Sequence, residues 1–313
     1  MLTIKYLTSL STMICVDKIT EIFCSIDDFC NIFEPALKKG LISDGKKRRN
    51  RAFKMSVSEV LTITVLFHSS GCRNFKHFYI GYVQKHLQKE FPQTVSYNRF
   101  VELMQSNVLA LTLYLKTSCL GQCTGITFVD STPVRVCNNK RIYANKVFKG
   151  IATTGKSTMG WFHGFKLHIM INDKGELLDF VITQANVDDR APLKSNNFLK
   201  KIFGSLYGDK GYISKELTAM LFDQGLHLVT GMRNNMKNVL MTMRDKILLR
   251  KRSVIETIND QLKNICQVEH SRHRSFGNFI TNLIAGLIAY SFNEKKPSIK
   301  FQTQNTTQVA LFY

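Results

Sequence analysis

The stretch Gly125-Ile-Thr-Phe-Val-Asp-Ser-Thr-Pro-Val134 (GITFVDSTPV) is where the sequence changes character. It is a short run of β-branched and aromatic residues closed by Pro133, which reads as a strand with Asp130 at its end. Downstream, GFKLHIMINDKGELLDFVITQ (164–184) reads as two strands around the hairpin signal Asp173-Lys174-Gly175. Phe165, Leu167, Ile169 and Ile171 alternate along the first of them, as one buried sheet face requires.

The same reading continues to the C-terminal part. Residues 185–203 read as helical, GSLYGDKGYIS (204–214) as a strand, and SKELTAMLFDQG (214–225) as a helix stopped by Gly225. LHLVTGM (226–232) reads as a strand, and a long helix is expected from about Asp245 to Val268. Strand, hairpin, strand, helix, strand, helix, strand, helix is an α/β order, a mixed sheet flanked by helices with ribonuclease-H-like connectivity.

Upstream, residues 16–118 predict helices. Ile19, Ile22, Phe23, Ile26 and Phe33 recur at roughly helical spacing, Ser56 or Ser58 offers an N-cap before Glu59, and another helix begins near Ser96. Residues 38–54 carry eight Lys or Arg against Asp44 alone, which suits a basic linker or a DNA-backbone patch that includes Arg48 and Arg49. The expected division is a helical N-terminal DNA-binding region (1–118), a catalytic domain (119–295) and a loose polar tail (296–313).

A net charge of +20 on 313 residues points to a polyanionic partner, most commonly nucleic acid. The eight cysteines are scattered, several in apolar stretches, which suits a reducing cytosol better than a disulfide framework. The N-terminus makes a poor signal peptide, and Met13 is an alternative start. The apolar run from Phe276 to Phe292 includes Asn278 and Asn282 and reads as a buried helix rather than a membrane span.

Three acids sit where chemistry would want them. Asp130 ends one strand, Asp209 follows another, and in this strand order the two strands are neighbours, so their carboxylates converge. Glu256 lies on the long helix, whose Val254, Ile258, Leu262 and Ile265 are expected to be buried, leaving Arg252, Glu256, Asn259 and Lys263 on another face. Alone, a strand-end Asp is often a turn cap and a helical Glu is usually solvated; the three matter as a set. Such oxygen-rich groups suit Mg²⁺ or Mn²⁺ and phosphodiester displacement. Asp188 and Asp189 read as helix-start residues, and Asp260 as a substitute ligand.

GIATTGKS (150–157) spells a nucleotide-binding phosphate loop. Such a loop must open into a helix, whereas Gly160, Gly164 and an alternating strand follow here, so no nucleotide is expected. Its glycines read as a flexible loop in which Lys149 and Lys156 face DNA phosphate. Cys119, Cys123, Cys266, His270 and His273 have the wrong spacing for zinc, and Cys266 falls on a buried face.

FVDSTP, FKGIATTGKSTMGWFHGFKLH, NVDDRAPL, YGDKGYIS and SVIETINDQLKNICQVEHSRHRS, in this order, resemble the DDE transposases of bacterial insertion sequences, most of all the insertion-sequence 982 group. The resemblance runs from about residue 16 to 298. By position it implies a catalytic, metal-binding triad of Asp130, Asp209 and Glu256, with Mg²⁺ as cofactor and Mn²⁺ able to substitute. Of the class signature Tyr-x2-Arg-x3-Glu-x6-Lys, this chain has Arg252, Glu256 and Lys263, with Leu249 at the Tyr position. The implied activity is nicking at an element's ends and strand transfer into target DNA, by a homodimer on DNA in the bacterial cytoplasm, near the nucleoid. Arg252 and Lys263 would orient DNA phosphates.

From Ser131 to Asn172 there are 42 residues with no acid and seven Lys or Arg, among them Arg135, Lys149 and Lys156. Residues 233–252 add seven more against Asp245. Trp161 is placed either to stack on an unpaired base or to pack in the core, and His163 and His168 suit structural roles. Two rivals share these features: a nuclease of the same fold without strand transfer, and a DNA-binding regulator without catalysis.

Overall fold

The structure is a computed structural model that describes residues 14–41, 54–232, 236, 240–269 and 273–300. Arg48, Arg49 and His270 lie outside the described residues. Helix α1 (Val16–Leu41) buries Ile19, Ile22, Ile26 and Cys30, the spacing of one helical face. Helix α2 (Val57–Ser69) starts at Ser56, not Ser58: Ser56 Oγ accepts from Glu59 N, and the Glu59 carboxylate accepts from Ser56 N, a reciprocal cap. Ser96 likewise caps α3 (Tyr97–Ser106), and α4 (Val108–Tyr114) follows.

The sheet has the order β2-β3-β1-β5-β6, with β4 also on β3. Its strands are β1 (Ile126–Cys137), β2 (Thr153–Ser157), β3 (Gly160–Asn172), β4 (Leu177–Gln184), β5 (Gly204–Gly208) and β6 (Leu226–Thr230). β3 pairs antiparallel with β1, β2 and β4, while β1, β5 and β6 run parallel. This is the expected ribonuclease-H-like arrangement. Helices α5 (Lys215–Asp223), α6 (Met243–Lys251), α7 (Ser253–Asn264) and α8 (Phe276–Ser291) complete it.

Strand periodicity splits the core into two layers. Phe128, Ile169, Ile171 and Tyr207 face one cluster, which continues through α2, α7 and α8 to α1. Val129, Met170 and Leu206 face the other, with Leu217 and Leu221 of α5. Helix α8 is buried along most of its length between the N-terminal helices and the sheet. No helix among the described residues is long and apolar enough to cross a membrane.

Five local expectations are corrected. Pro133 does not close β1; the strand runs on to Cys137. Beyond Phe128 the strand pairs with β3 and no longer with β5, so one edge is open and a residue lacking N–H is tolerated. Residues 185–203 are mostly loop with two short turns, because Arg190 folds back on Asp188 and Pro192 follows. The long helix breaks at Arg252, where three-residue bonds, Arg252 N to Leu249 O and Ile255 N to Arg252 O, tighten the chain. The phosphate-loop lookalike is not a loop, since Thr153–Ser157 is strand β2. Residues 296–300, expected to be loose, are tied down: Ile299 N donates to Asp173 O, and Lys296 Nζ donates to Ser291 O and Asn293 O.

Candidate active site

β1 and β5 lie side by side in register, with Phe128 opposite Tyr207 and their rings 5.5 Å apart. Two residues further along each strand direction stand Asp130 and Asp209, which the period of two turns toward the same side. Asp209 closes β5, and its Oδ1 accepts from Gly211 N at 2.8 Å, which turns the chain away and leaves the carboxylate at the strand end.

Glu256 arrives from α7. Ile255, Ile258 and Leu262 bury that helix beside β1, and Glu256, one residue off this face, stays exposed. Arg252, at the break before α7, joins the two elements. Its Nη2 is 2.7 Å from Glu256 Oε1, and its Nη1 is 4.0 Å from Asp130 Oδ1. Asp130, Glu256 and Arg252 therefore share one site, with the guanidinium between the two carboxylates.

Burial pushes the Asp130 carboxyl up to about 7; Arg252 opposes this, while the negative charges of Asp209 and Glu256 add to it. Asp130 thus feels both of the other acids electrostatically. Two further side chains, not picked out as site residues by sequence, complete the surroundings. Asn259, expected on one helix face with Arg252, Glu256 and Lys263, is 7% exposed and donates to Asp130 Oδ2 at 2.9 Å. The helix ends at Asn264, which leaves Ile265, expected inside, 53% exposed. Tyr212, three residues after Asp209, is 1% exposed; burial raises its phenol far above its ordinary range, and Asp130, Asp189 and Asp209 add to the rise. Only its closeness to Asp209 in sequence could have singled it out.

The other candidates fall elsewhere. Asp188 pairs with Arg190 and Asp189 with Lys166 at 2.9 Å, so both sit in a loop ion-pair cluster rather than at a helix start. Asp260 is exposed and accepts from Asn264 Nδ2. Lys263 is 3.4 Å from Glu269, whose other oxygen accepts from Arg135 N, which brings Lys263 and Arg135 together on the edge of β1. Lys149 and Lys156 are exposed, Lys156 with its Nζ 6.0 Å from the ring of Trp161. Trp161 is 61% exposed, so it is not a core residue. His163 and His168 bond Thr154 and Thr183, as structural histidines do.

Among the described residues, no three or more His, Cys, Asp or Glu side chains are already grouped as a metal cluster. The donor chemistry nevertheless suits a hard divalent cation: the three acids offer only carboxylate oxygens, and their mutual repulsion at Asp130 is what a cation would relieve.

The Transposase DDE domain family matches residues 120–276, half of the chain. No curated protein matches the sequence. Among solved structures, the chain is similar to one in the crystal structure of the Mos1 strand transfer complex, at 11% identity over 84% of each chain with a TM-score of 0.24. It is also similar to Mos1 transposase in a paired-end complex with the left transposon end, at 11% identity over 84% of this chain and 85% of that one, with a TM-score of 0.23.

Proposed function

The chain belongs to the Transposase DDE domain family and is a DNA transposase; on that premise we propose that Asp130, Asp209 and Glu256 are its catalytic, metal-holding triad. The observation that carries this reading is the placing of Arg252 against Asp130 and Glu256, while Asp130 also feels Asp209. DDE transposases generally use divalent metal ions; here the ion is Mg²⁺, with Mn²⁺ as substitute. Bound between the carboxylates, it would supply Lewis-acid activation of the attacking and leaving oxygens in phosphodiester displacement.

The chain's own residues do the rest. Asn259 fixes one face of the Asp130 carboxylate. Arg252 carries the positive charge that offsets Asp130 and Glu256 and is placed to meet a DNA phosphate. Arg135 and Lys263 on the β1 edge, with Lys149 and Lys156 on the β2 side, would hold the DNA backbone, which makes binding salt-dependent. The substrate is the terminal inverted repeats of an insertion sequence, nicked at their ends and joined to target DNA by a homodimer in the cytoplasm. The motifs quoted above support placing it in the insertion-sequence 982 group.

The test uses duplexes carrying the DNA that flanks the protein's own gene, with Mg²⁺, and compares wild type with Asp130→Ala, Asp209→Ala and Glu256→Ala. Nicking and strand transfer should vanish in each variant while DNA binding persists. Cleavage surviving in all three would overturn the triad, and nicked products never joined to target DNA would leave the nuclease reading standing.

A further inference from the structure

Away from the carboxylates, three segments distant in sequence enclose a groove of about 860 Å³. Arg73 and Lys76 come from the chain after α2, Tyr97 and Asn98 from the start of α3, and Arg274 and Asn278 from the start of α8. The helices meet closely here. Ser275 Oγ lies 3.5 Å from Gln105 of α3, and a Cβ added at Gly277 would meet Gln105 at 2.8 Å.

The groove's chemistry is one-sided. Its lining includes Arg73, Lys76 and Arg274 and no Asp or Glu, and among the described residues no ion pair is formed by these three cations. Deeper in, the lining includes two side-chain atoms buried without a hydrogen-bond partner, Asn278 Oδ1 and His273 Nε2. The Tyr97 ring stands in the wall, half-buried, with Lys76 Nζ 5.9 Å from its centre. Cations for phosphate, unpaired polar atoms for a base edge and an aromatic face for stacking are what single-stranded nucleic acid is held by. A duplex keeps its base faces stacked and its Watson–Crick edges paired inside, so it meets the groove mainly through the cations.

The groove also lies along a route from the triad. β1 runs five residues from Asp130 to Arg135, roughly 17 Å at ~3.3 Å per residue. Glu269 ties Arg135 to the segment that leads into α8, and Phe276 at the head of α8 rests 5.9 Å from Phe165 of β3.

We propose that this groove binds an unpaired stretch of the DNA strand held at the triad, with Arg73 and Arg274 on its phosphates and Tyr97 stacked on a base. The proposal rests on the protein's action on DNA, but its test needs no cleavage. Full-length protein is titrated without Mg²⁺ against two fluorescent DNAs of one sequence, a blunt duplex and a duplex with a single-stranded overhang. Wild type should prefer the overhang by about tenfold, the scale of one stacked base. Tyr97→Ala should lose that preference and keep the blunt-duplex affinity, the double variant Arg73→Glu/Arg274→Glu should lose the preference and weaken both DNAs, and Tyr97→Phe should retain it. Thermal melts establish that each variant is folded. No preference in wild type, or a preference surviving in the folded variants, overturns the groove assignment. So does release of the overhang by a poly-glutamate peptide without competition from single-stranded DNA. Cleavage by the wild type in the triad experiment is read separately, so failure of one reading does not pass for failure of the other.

Discussion

Asn259 on α7 donates its Nδ2–H to Oδ2 of Asp130 on β1 at 2.9 Å, which ties the helix that carries Glu256 to the strand that carries Asp130. The Asn259 Oδ1 is buried with no partner, so this residue is held for one bond. A hydrogen bond to a charged group contributes about 1.5–3 kcal/mol. Asn259→Ala should therefore slow end cleavage by roughly tenfold or more, each factor of ten being about 1.4 kcal/mol. The Mg²⁺ midpoint should rise while affinity for uncleaved DNA is unchanged. Asn259→Asp should be worse, because it sets another negative charge against Asp130. An alanine variant that cleaves at the wild-type rate would reduce the bond to packing.

Arg252 makes an opposing prediction for metal and for rate. Its guanidinium sits between Glu256 and Asp130, at 2.7 and 4.0 Å, and so competes for the place where a divalent cation's charge is needed. Arg252→Gln should bind Mg²⁺ more tightly, read by calorimetry, yet cleave more slowly because the phosphate loses its cation. Arg252→Lys should fall between the two, keeping the charge but losing the planar fork. Weaker Mg²⁺ binding in the glutamine variant would show that the guanidinium supports the metal site instead of shielding it.

The parts of this site that sequence displayed are those set by periodicity. Alternation at Phe165, Leu167, Ile169 and Ile171 fixed the central strand, and strand order then brought Asp130, within β1, beside Asp209 at the end of β5. What stayed hidden depends on where chains bend. The helix break at Arg252 comes from a few tightened backbone bonds that no hydrophobic pattern records, and the bond from Asn259 to Asp130 spans 129 residues of sequence. The groove beyond α8 was equally illegible, since its cations come from segments about 200 residues apart. The ion pair of Arg190 with Asp188 held 185–203 as loop against a helical composition.

Acid stability should be set partly by buried histidine. His68 lies wholly inside, its Nδ1 bonded to Cys266 O, and burial lowers its pKa to about 4. The unfolded imidazole takes up a proton near pH 6.5 and the folded one only near 4, so in that window the unfolded chain binds more protons. Stability is therefore whole above pH 6.5 and falls as the pH drops toward 4, by on the order of 3 kcal/mol for this residue at ~1.4 kcal/mol per pH unit. Urea midpoints measured at pH 7, 5.5 and 4.5 should decline less steeply in His68→Gln than in wild type. Parallel slopes would remove His68 as a cause.

Gly155 explains the phosphate-loop spelling without a nucleotide. It lies in β2 opposite Phe162, and a Cβ there would stand 2.0 Å from the carbonyl oxygen of Ala185. The glycine is thus required by the close approach of β2 to the chain leaving β4, while its neighbour Lys156 points outward. Backbone cannot swing aside as a flexible side chain can, so Gly155→Ala should cost about 1–3 kcal/mol, the range for overpacking. The melting temperature should drop by several degrees, and millimolar ATP should shift it in neither protein. ATP stabilising wild type but not the variant would restore the nucleotide reading, because only a loop that wraps phosphate would link that glycine to the ligand.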